Sequence, residues 1–225
     1  MSTTSHSNAA ALRGIAAEAI GTAFLLAAVV GSGIMAERLA GGNVAIALLA
    51  NTMATGAALL CLILALGPIS GAHFNPVVTL AQGWEQGTSP GRMTSYIAAQ
   101  VIGALAGVAL AHLMFEQPSV YAVGVHVRSG PAQALSEFVA TFGLLLVIGG
   151  SAKTSPQFTP FAVAGYITAA YWFTASTSFA NPAVTVARSL TDTFAGIRPV
   201  DVPVFVVAQV AGGLAGAWTS RWLHR

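Results

Sequence analysis

Ser70 to Ala81 reads SGAHFNPVVTLA, and Thr177 to Arg188 reads TSFANPAVTVAR. Each stretch carries an Asn-Pro pair after small residues and before a run of only two or three helical turns. Asn is a favoured N-cap, and Pro suits the first helical position, where no N–H is needed. Each site therefore reads as the start of a short helix. The surrounding sequence is apolar, which puts both starts inside a bilayer, where interrupted helices mark a solute pathway.

Composition agrees. Of 225 residues, 55% are hydrophobic and only 7% charged, against roughly 25% charged in a soluble domain. The 24 glycines suit close helix contact in lipid. The net charge of +2 forms no basic stripe, so nucleic acid is excluded as a partner. Cys61 is the single cysteine, which rules out an intrachain disulfide and any multi-cysteine metal site. Residues 1–11 are small and polar and read as a flexible tail. The rest, 12–225, reads as a single all-α membrane domain.

Six apolar stretches reach the roughly 20 residues needed to cross: 12–36, 43–67, 93–115, 132–152, 158–177 and 201–223. The Asn-Pro segments follow the second and fifth, are too short to cross, and are expected to re-enter and fold back. Irregular backbone at that depth is tolerated only beside protein or a watery cavity.

The halves, about 12–115 and 132–223, match beyond those motifs. AEAIGTAFLL (Ala17 to Leu26) pairs with SEFVATFGLL (Ser136 to Leu145), aligning Glu18 with Glu137. YIAAQVIGALAG (Tyr96 to Gly107) pairs with FVVAQVAGGLAG (Phe205 to Gly216), aligning Gln100 with Gln209. Three landmarks in one order make an internal repeat. Each half holds three spans, an odd number, so the second inserts upside down. The two short helices then meet by their N-termini near the midplane. With both termini cytoplasmic, Arg13, Arg92, Lys153, Arg221 and Arg225 lie inside and Arg38, Arg128, Arg188 and Arg198 outside, a weak positive-inside bias.

Two helix N-termini at mid-depth oppose any cation there. Asn75 and Asn181, if their side-chain oxygens cap the helices, leave NH2 groups to point inward. The approaches Gly71-Ala72-His73 and Ser176-Thr177 offer carbonyl acceptors along the path. Donors at the centre with acceptors on either side suit water or a small polyol. Glu18 and Glu137 are costly inside spans unless bonded. They either brace the re-entrant loops or couple transport to protons, and symmetric placement favours bracing. His73 either lines the path or bonds within its loop. No catalytic or metal-spaced cluster appears, so no enzyme activity and no cofactor are expected.

The chain resembles the aquaporin or major intrinsic protein family from about Ala17 onward, through the paired Asn-Pro boxes, SGAHFNP, the two membrane glutamates, Gln100 and Gln209. The resemblance implies an inverted-repeat fold of six transmembrane helices plus two re-entrant half-helices in an inner or plasma membrane. It also implies a homotetramer with one pore per protomer, and passive flow of water or small neutral solutes. Asn75-Pro76-Val77 and Asn181-Pro182-Ala183 would form the central constriction, with Glu18 and Glu137 as loop braces.

The departures bear on selectivity. Val77 stands where the family usually has Ala, and Val184 where it typically has a filter arginine. By the family's spacing, the other filter positions fall on Thr55, Ala169 (Ala170 after a one-residue slip) and Ser178. Such a filter is wide, uncharged and mildly polar. Arg188 lies four residues beyond Val184, about 6 Å further along the same face. From the outer vestibule it either replaces the missing arginine or pairs with Asp192 at i, i+4; the ion pair is favoured. The run from Ala180 to Pro199 also resembles a bacterial branch associated with arsenic resistance, which adds neutral arsenite to glycerol as a candidate solute. Alternative readings are a water-selective channel, a proton-coupled secondary transporter using Glu18 or Glu137, and a non-conducting adhesion member of the family.

Overall fold

The computed structural model describes the backbone of residues 3–225 and the side chains from residue 9 onward. Among the described residues there is no strand. Eight α-helices follow in order: α1 (Thr3–Leu39), α2 (Val44–Ser70), α3 (Pro76–Gln86), α4 (Pro90–Met114), α5 (Pro131–Thr154), α6 (Thr159–Phe173), α7 (Pro182–Arg188) and α8 (Val202–Leu223). Single 3₁₀ turns, Pro156–Phe158 and Pro199–Asp201, lead into α6 and α8. Pro opens α3, α4, α5 and α7, where the missing N–H costs nothing.

Two expectations need correction. The tail expected over 1–11 is helical from Thr3 and continuous with α1; Met1 and Ser2 lie outside the described residues. The fifth span, expected over 158–177, stops at Phe173 after 15 residues, about 22 Å of helix against a hydrocarbon core of about 30 Å. Thr174 turns to extended backbone there. Residues 174–180 continue without helix and belong to the conduit. The other long helices, α1, α2, α4, α5 and α8, are each long and apolar enough to cross a membrane.

The repeat is visible in the packing. α1 lies along α4, and α5 along α8. The contact is close because glycines face backbone. A Cβ on Gly103 or Gly107 would overlap the Ala19 or Ala23 carbonyl oxygen. A Cβ on Gly212 or Gly216 would overlap that of Phe138 or Phe142. Side-chain-free seams of this kind let helices approach where lipid gives no hydrophobic drive. The outward faces carry exposed Phe24, Ile102, Trp172 and Val207, an apolar exterior that suits contact with acyl chains. Inside, Asn51 Nδ2 ties α2 to the Val29 carbonyl of α1 at 2.8 Å.

A conduit between two half-helices

α3 and α7 are the two half-helices, and their N-termini meet. Asn75 Oδ1 accepts from Val77 N at 2.9 Å; Asn181 Oδ1 accepts from Ala183 N at 3.0 Å and Val184 N at 3.3 Å. The amide NH2 groups, expected to be wholly free for solute, are half used. Asn75 Nδ2 donates to the Ala180 carbonyl and Asn181 Nδ2 to the Phe74 carbonyl, each at 2.7 Å. Each asparagine thus caps its own helix and clasps the opposite loop. An NH2 group carries two hydrogens, so one per asparagine remains for the cavity that both line.

The loops before the half-helices hold an unusual backbone. Ala72 and Phe74 have φ of 50° and 49°, and Thr177, Ser178 and Ala180 have φ of 60°, 49° and 48°. Left-handed non-glycine residues cost about 1–3 kcal/mol each and persist only where their surroundings enforce them. The membrane glutamates provide that enforcement. Glu18 Oε1 accepts from Ser70 Oγ at 2.6 Å and His73 N at 2.9 Å, and its Oε2 from Phe74 N at 2.7 Å and Gln100 Nε2 at 2.8 Å. Glu137 accepts from Phe179 N and Ala180 N, both at 2.9 Å, and from Gln209 Nε2 at 2.5 Å. Gln100 and Gln209 each reach on to a half-helix threonine, Thr79 or Thr185, at 2.8 Å. Both carboxylates are fully buried with their oxygens engaged by these donors. A carrier reading, which needs a carboxylate free to exchange protons, finds neither group available.

A cavity of about 120 Å³ runs past both asparagines. Ile63, His73, Gln82 and Thr159 line one end, and Thr55, Tyr171, Ser178, Val184 and Arg188 the other. Leu25, Val29, Leu59, Leu144 and Val163 make an apolar wall, while Gly71, Ala72, Phe74, Phe179 and Ala180 line it from the two loops. This is the arrangement of a narrow path with one polar edge.

Three comparisons bear on this geometry. The sequence profile described as "Major intrinsic protein" matches residues 5–165, more than half of the chain. The chain is 54% identical to the aquaglyceroporin AqpS of Rhizobium meliloti (strain 1021) over 207 residues, 92% of this chain and 88% of that protein. The chain belongs to the major intrinsic protein family. As a member it is a passive channel of the membrane for water and small neutral solutes, not an enzyme. It is also 36% identical to the probable aquaporin AqpM of Archaeoglobus fulgidus, over 77% of this chain and 75% of that one. In fold it matches the X-ray structure of the aquaglyceroporin from Plasmodium falciparum with a TM-score of 0.65, 19% identity and 96% coverage of each chain.

Within this aquaporin, several residues expected at the pore stand elsewhere. Pro76, Val77, Pro182 and Ala183 pack behind the asparagines and do not line the conduit. Val77 fits there because its partner on α8 is Gly213, where a Cβ would overlap the Val77 side chain. Ala169 is exposed on the outer side of α6, and the one-residue slip to Ala170 gives a buried residue that is not at the conduit either. Ile167 and Tyr171, four residues apart on one helix face, line the path instead. The Tyr171 hydroxyl donates to Thr55 Oγ1 at 3.3 Å. Ser176 and Thr177 are also displaced: Arg128 Nη1 takes the Ser176 carbonyl at 3.3 Å, and the lining run begins at Ser178.

Arg188 does not make the expected ion pair. Asp192 is exposed, and among the described residues the one salt bridge is Arg198 to Asp201 at 3.0 Å. The Arg188 side chain turns inward instead, 2% exposed, in the cavity wall beside Val184. Its Nε donates to the Ala195 carbonyl, and its guanidinium carbon sits 3.4 Å from the Phe179 ring centroid. Phe179 packs edge-on against buried Phe205 at 5.2 Å. Arg188 thus exchanges an exposed i, i+4 pair, worth a few tenths of a kcal/mol, for an aromatic face and one carbonyl, and its charge is left without a carboxylate.

Arg128 is a site residue that the sequence did not disclose. It comes from the 116–131 connection, which runs back over this mouth through Ala122 N to Leu190 O and Gly124 N to Ser189 O. Gly124 is required there, since a Cβ would overlap the Ile197 carbonyl. Arg128 Nε donates to Gly196 O at 2.9 Å and its backbone N–H to Asp201 Oδ2 at 2.9 Å. Burial holds its guanidinium below the usual arginine pKa, with Glu137 acting in the opposite sense. In the sequence it counted only as one of the charges on the outer side. His112 clips the same loops, bonding Ser119 O at 3.0 Å and Thr191 Oγ1 at 2.7 Å.

Proposed function

We propose that this channel conducts glycerol-like polyols and neutral arsenite as well as water. Its selective zone is Thr55, Ile167, Tyr171, Ser178 and Val184, with Arg188 supplying the cation from one turn further on. The observation that carries this reading is Arg188 folded into the conduit wall beside Val184. The short Val184 side chain leaves width where an arginine would narrow the path, and Arg188 still presents N–H donors to a hydroxyl. Neutral arsenite, a trihydroxide, offers the same oxygen pattern as a polyol. The name of the Rhizobium relative, an aquaglyceroporin, supports polyol passage.

Asn75 and Asn181 form the central constriction in this reading, each giving one N–H to a passing oxygen. The path is single-file there because the reciprocal clasps hold the half-helices at fixed separation. We further propose a homotetramer with both termini cytoplasmic, as the family resemblance implies.

Stopped-flow light scattering on proteoliposomes tests the solute reading, with water, glycerol and arsenite measured side by side. Passage of all three is expected. Water flux without glycerol or arsenite flux makes it a water-selective channel. Concentration of a neutral solute against its gradient would reinstate a coupled carrier.

A further inference from the structure

Two guanidinium groups converge on one aromatic ring at the Val184 end of the conduit. Arg188 lies 3.4 Å and Arg128 5.0 Å from the Phe179 ring centroid. Neither has a carboxylate partner among the described residues. Glu137 is taken by two loop N–H groups and Gln209, and Asp201 by Arg198 and the Arg128 backbone. The other titratable side chains at this end are Tyr171, whose hydroxyl is engaged with Thr55, His112, which bonds Ser119 O and Thr191 Oγ1, and His126, beside Gly196; none is a carboxylate.

The protein uses little of the donor capacity of Arg188. A guanidinium carries five N–H donors, and only Nε is bonded to protein, at Ala195 O. Nη1 and Nη2 bond no protein atom, yet neither is sealed away as an unsatisfied buried nitrogen. They open onto the cavity that Arg188 lines. Arg128 is bonded through Nε and Nη1 and holds a second positive charge behind the same ring. A largely buried cation without counter-charge is unfavourable, and two together more so. With Nε occupied, the free end of Arg188 is a two-pronged fork whose parallel N–H bonds match two oxygens of one planar anion.

We propose that this mouth binds a small monovalent oxyanion on the Arg188 fork, with Arg128 as second cation, and that the bound anion blocks neutral solutes. Blockage follows from the geometry: the fork stands in the wall of the cavity that solutes must traverse, which Thr55 and Tyr171 also line. The proposal rests on the channel reading for its effect on flux, though not for binding itself.

Nitrate is the probe, being planar, small and ionised at every working pH. Water efflux from proteoliposomes is driven by sucrose at fixed ionic strength, in gluconate, chloride or nitrate. A site with a Kd of about 10 mM leaves roughly one channel in ten open at about 100 mM nitrate, so water permeability should fall about tenfold. Chloride, which engages one prong, should block less. Block should vanish in Arg188→Gln and weaken in Arg128→Gln. Arg188→Lys keeps the charge and loses the fork, so it should respond to nitrate and chloride alike. Binding is read without flux as nitrate-dependent thermal stabilisation of the detergent-solubilised protein relative to Arg188→Lys. Equal water permeability in gluconate and nitrate overturns the proposal. So does block that survives Arg188→Gln, or an undiminished nitrate preference in Arg188→Lys. Absence of water flux in gluconate, with nitrate stabilisation intact, refutes the channel reading and leaves the anion site standing.

Discussion

Glu137→Gln is the substitution that most directly tests what holds the conduit open. It keeps the shape of the side chain, removes a charge and turns one acceptor oxygen into a donor. In the native structure the carboxylate accepts from Phe179 N, Ala180 N and Gln209 Nε2. Wherever the new NH2 group is placed, it faces a backbone N–H, at Phe179 or at Ala180. That leaves one buried N–H unpaired, at about 1–3 kcal/mol. Each bond that stays loses its charge assistance, about 1 kcal/mol apiece for two bonds. The total is about 3–5 kcal/mol, before any relaxation of Thr177, Ser178 and Ala180 from their left-handed conformations. The Gln209 amide can turn to offer Oε1, which has no partner, but this cannot satisfy the loop N–H. The apparent melting temperature of the detergent-purified protein should fall by about 10 °C, and water flux should fall with it as the Ala180 carbonyl leaves Asn75. Unchanged melting together with unchanged flux would show that the carboxylate does not hold the loop. Native melting with loss only of pH-driven solute accumulation would point to a proton carrier.

Three further predictions concern other parts of the molecule. Gly213→Ala drives a methyl into the Val77 side chain and should lower stability by about 1–3 kcal/mol; Val77→Ala in the same protein should restore most of it, as a double-mutant thermal cycle will show. Val184→Arg sets a third guanidinium beside those of Arg188 and Arg128 and fills the width left by valine. In vesicle swelling it should suppress glycerol more than water, and equal loss of both would place the selective zone elsewhere. The Asp201 carboxylate accepts from the Arg198 side chain at 3.0 Å and from the Arg128 backbone N–H at 2.9 Å, and so pins the 116–131 connection to the start of α8. Protection of the Arg128 amide against hydrogen exchange, relative to its intrinsic rate, should therefore be high in the native protein at pH 7 and fall in Asp201→Asn, and equal protection in both would show that the carboxylate does not hold this loop.

Much of the candidate site was legible because it is written in local chemistry. Asn before Pro announces a capped helix start whatever surrounds it, and both starts are where the sequence puts them. The glutamates were legible for a different reason: a carboxylate inside an apolar span must find donors, and loop N–H groups are the donors such a fold leaves exposed. Ile167 and Tyr171 were not legible. Counting residues from a motif fixes a position along the chain but not the rotation of a helix about its axis, and α6 turns Ala169 outward. The clasp of each asparagine on the opposite loop was missed as well, since it joins atoms 105 and 107 residues apart.

Arg188 draws the boundary most sharply. Helical spacing placed it on the Val184 face and offered two fates, partner of Asp192 or pore cation. Spacing cannot choose between them, because the choice depends on a ring and a carbonyl brought from beyond the helix. Composition, periodicity and capping determined a membrane-embedded inverted repeat with two half-helices meeting at mid-depth, because those follow from transfer energies and backbone valence acting within each segment. Tertiary packing alone decided which side chains face the conduit and where Arg128 and Arg188 end. Those outcomes depend on how rigid helices rotate against one another and on which long-range acceptors lie within reach.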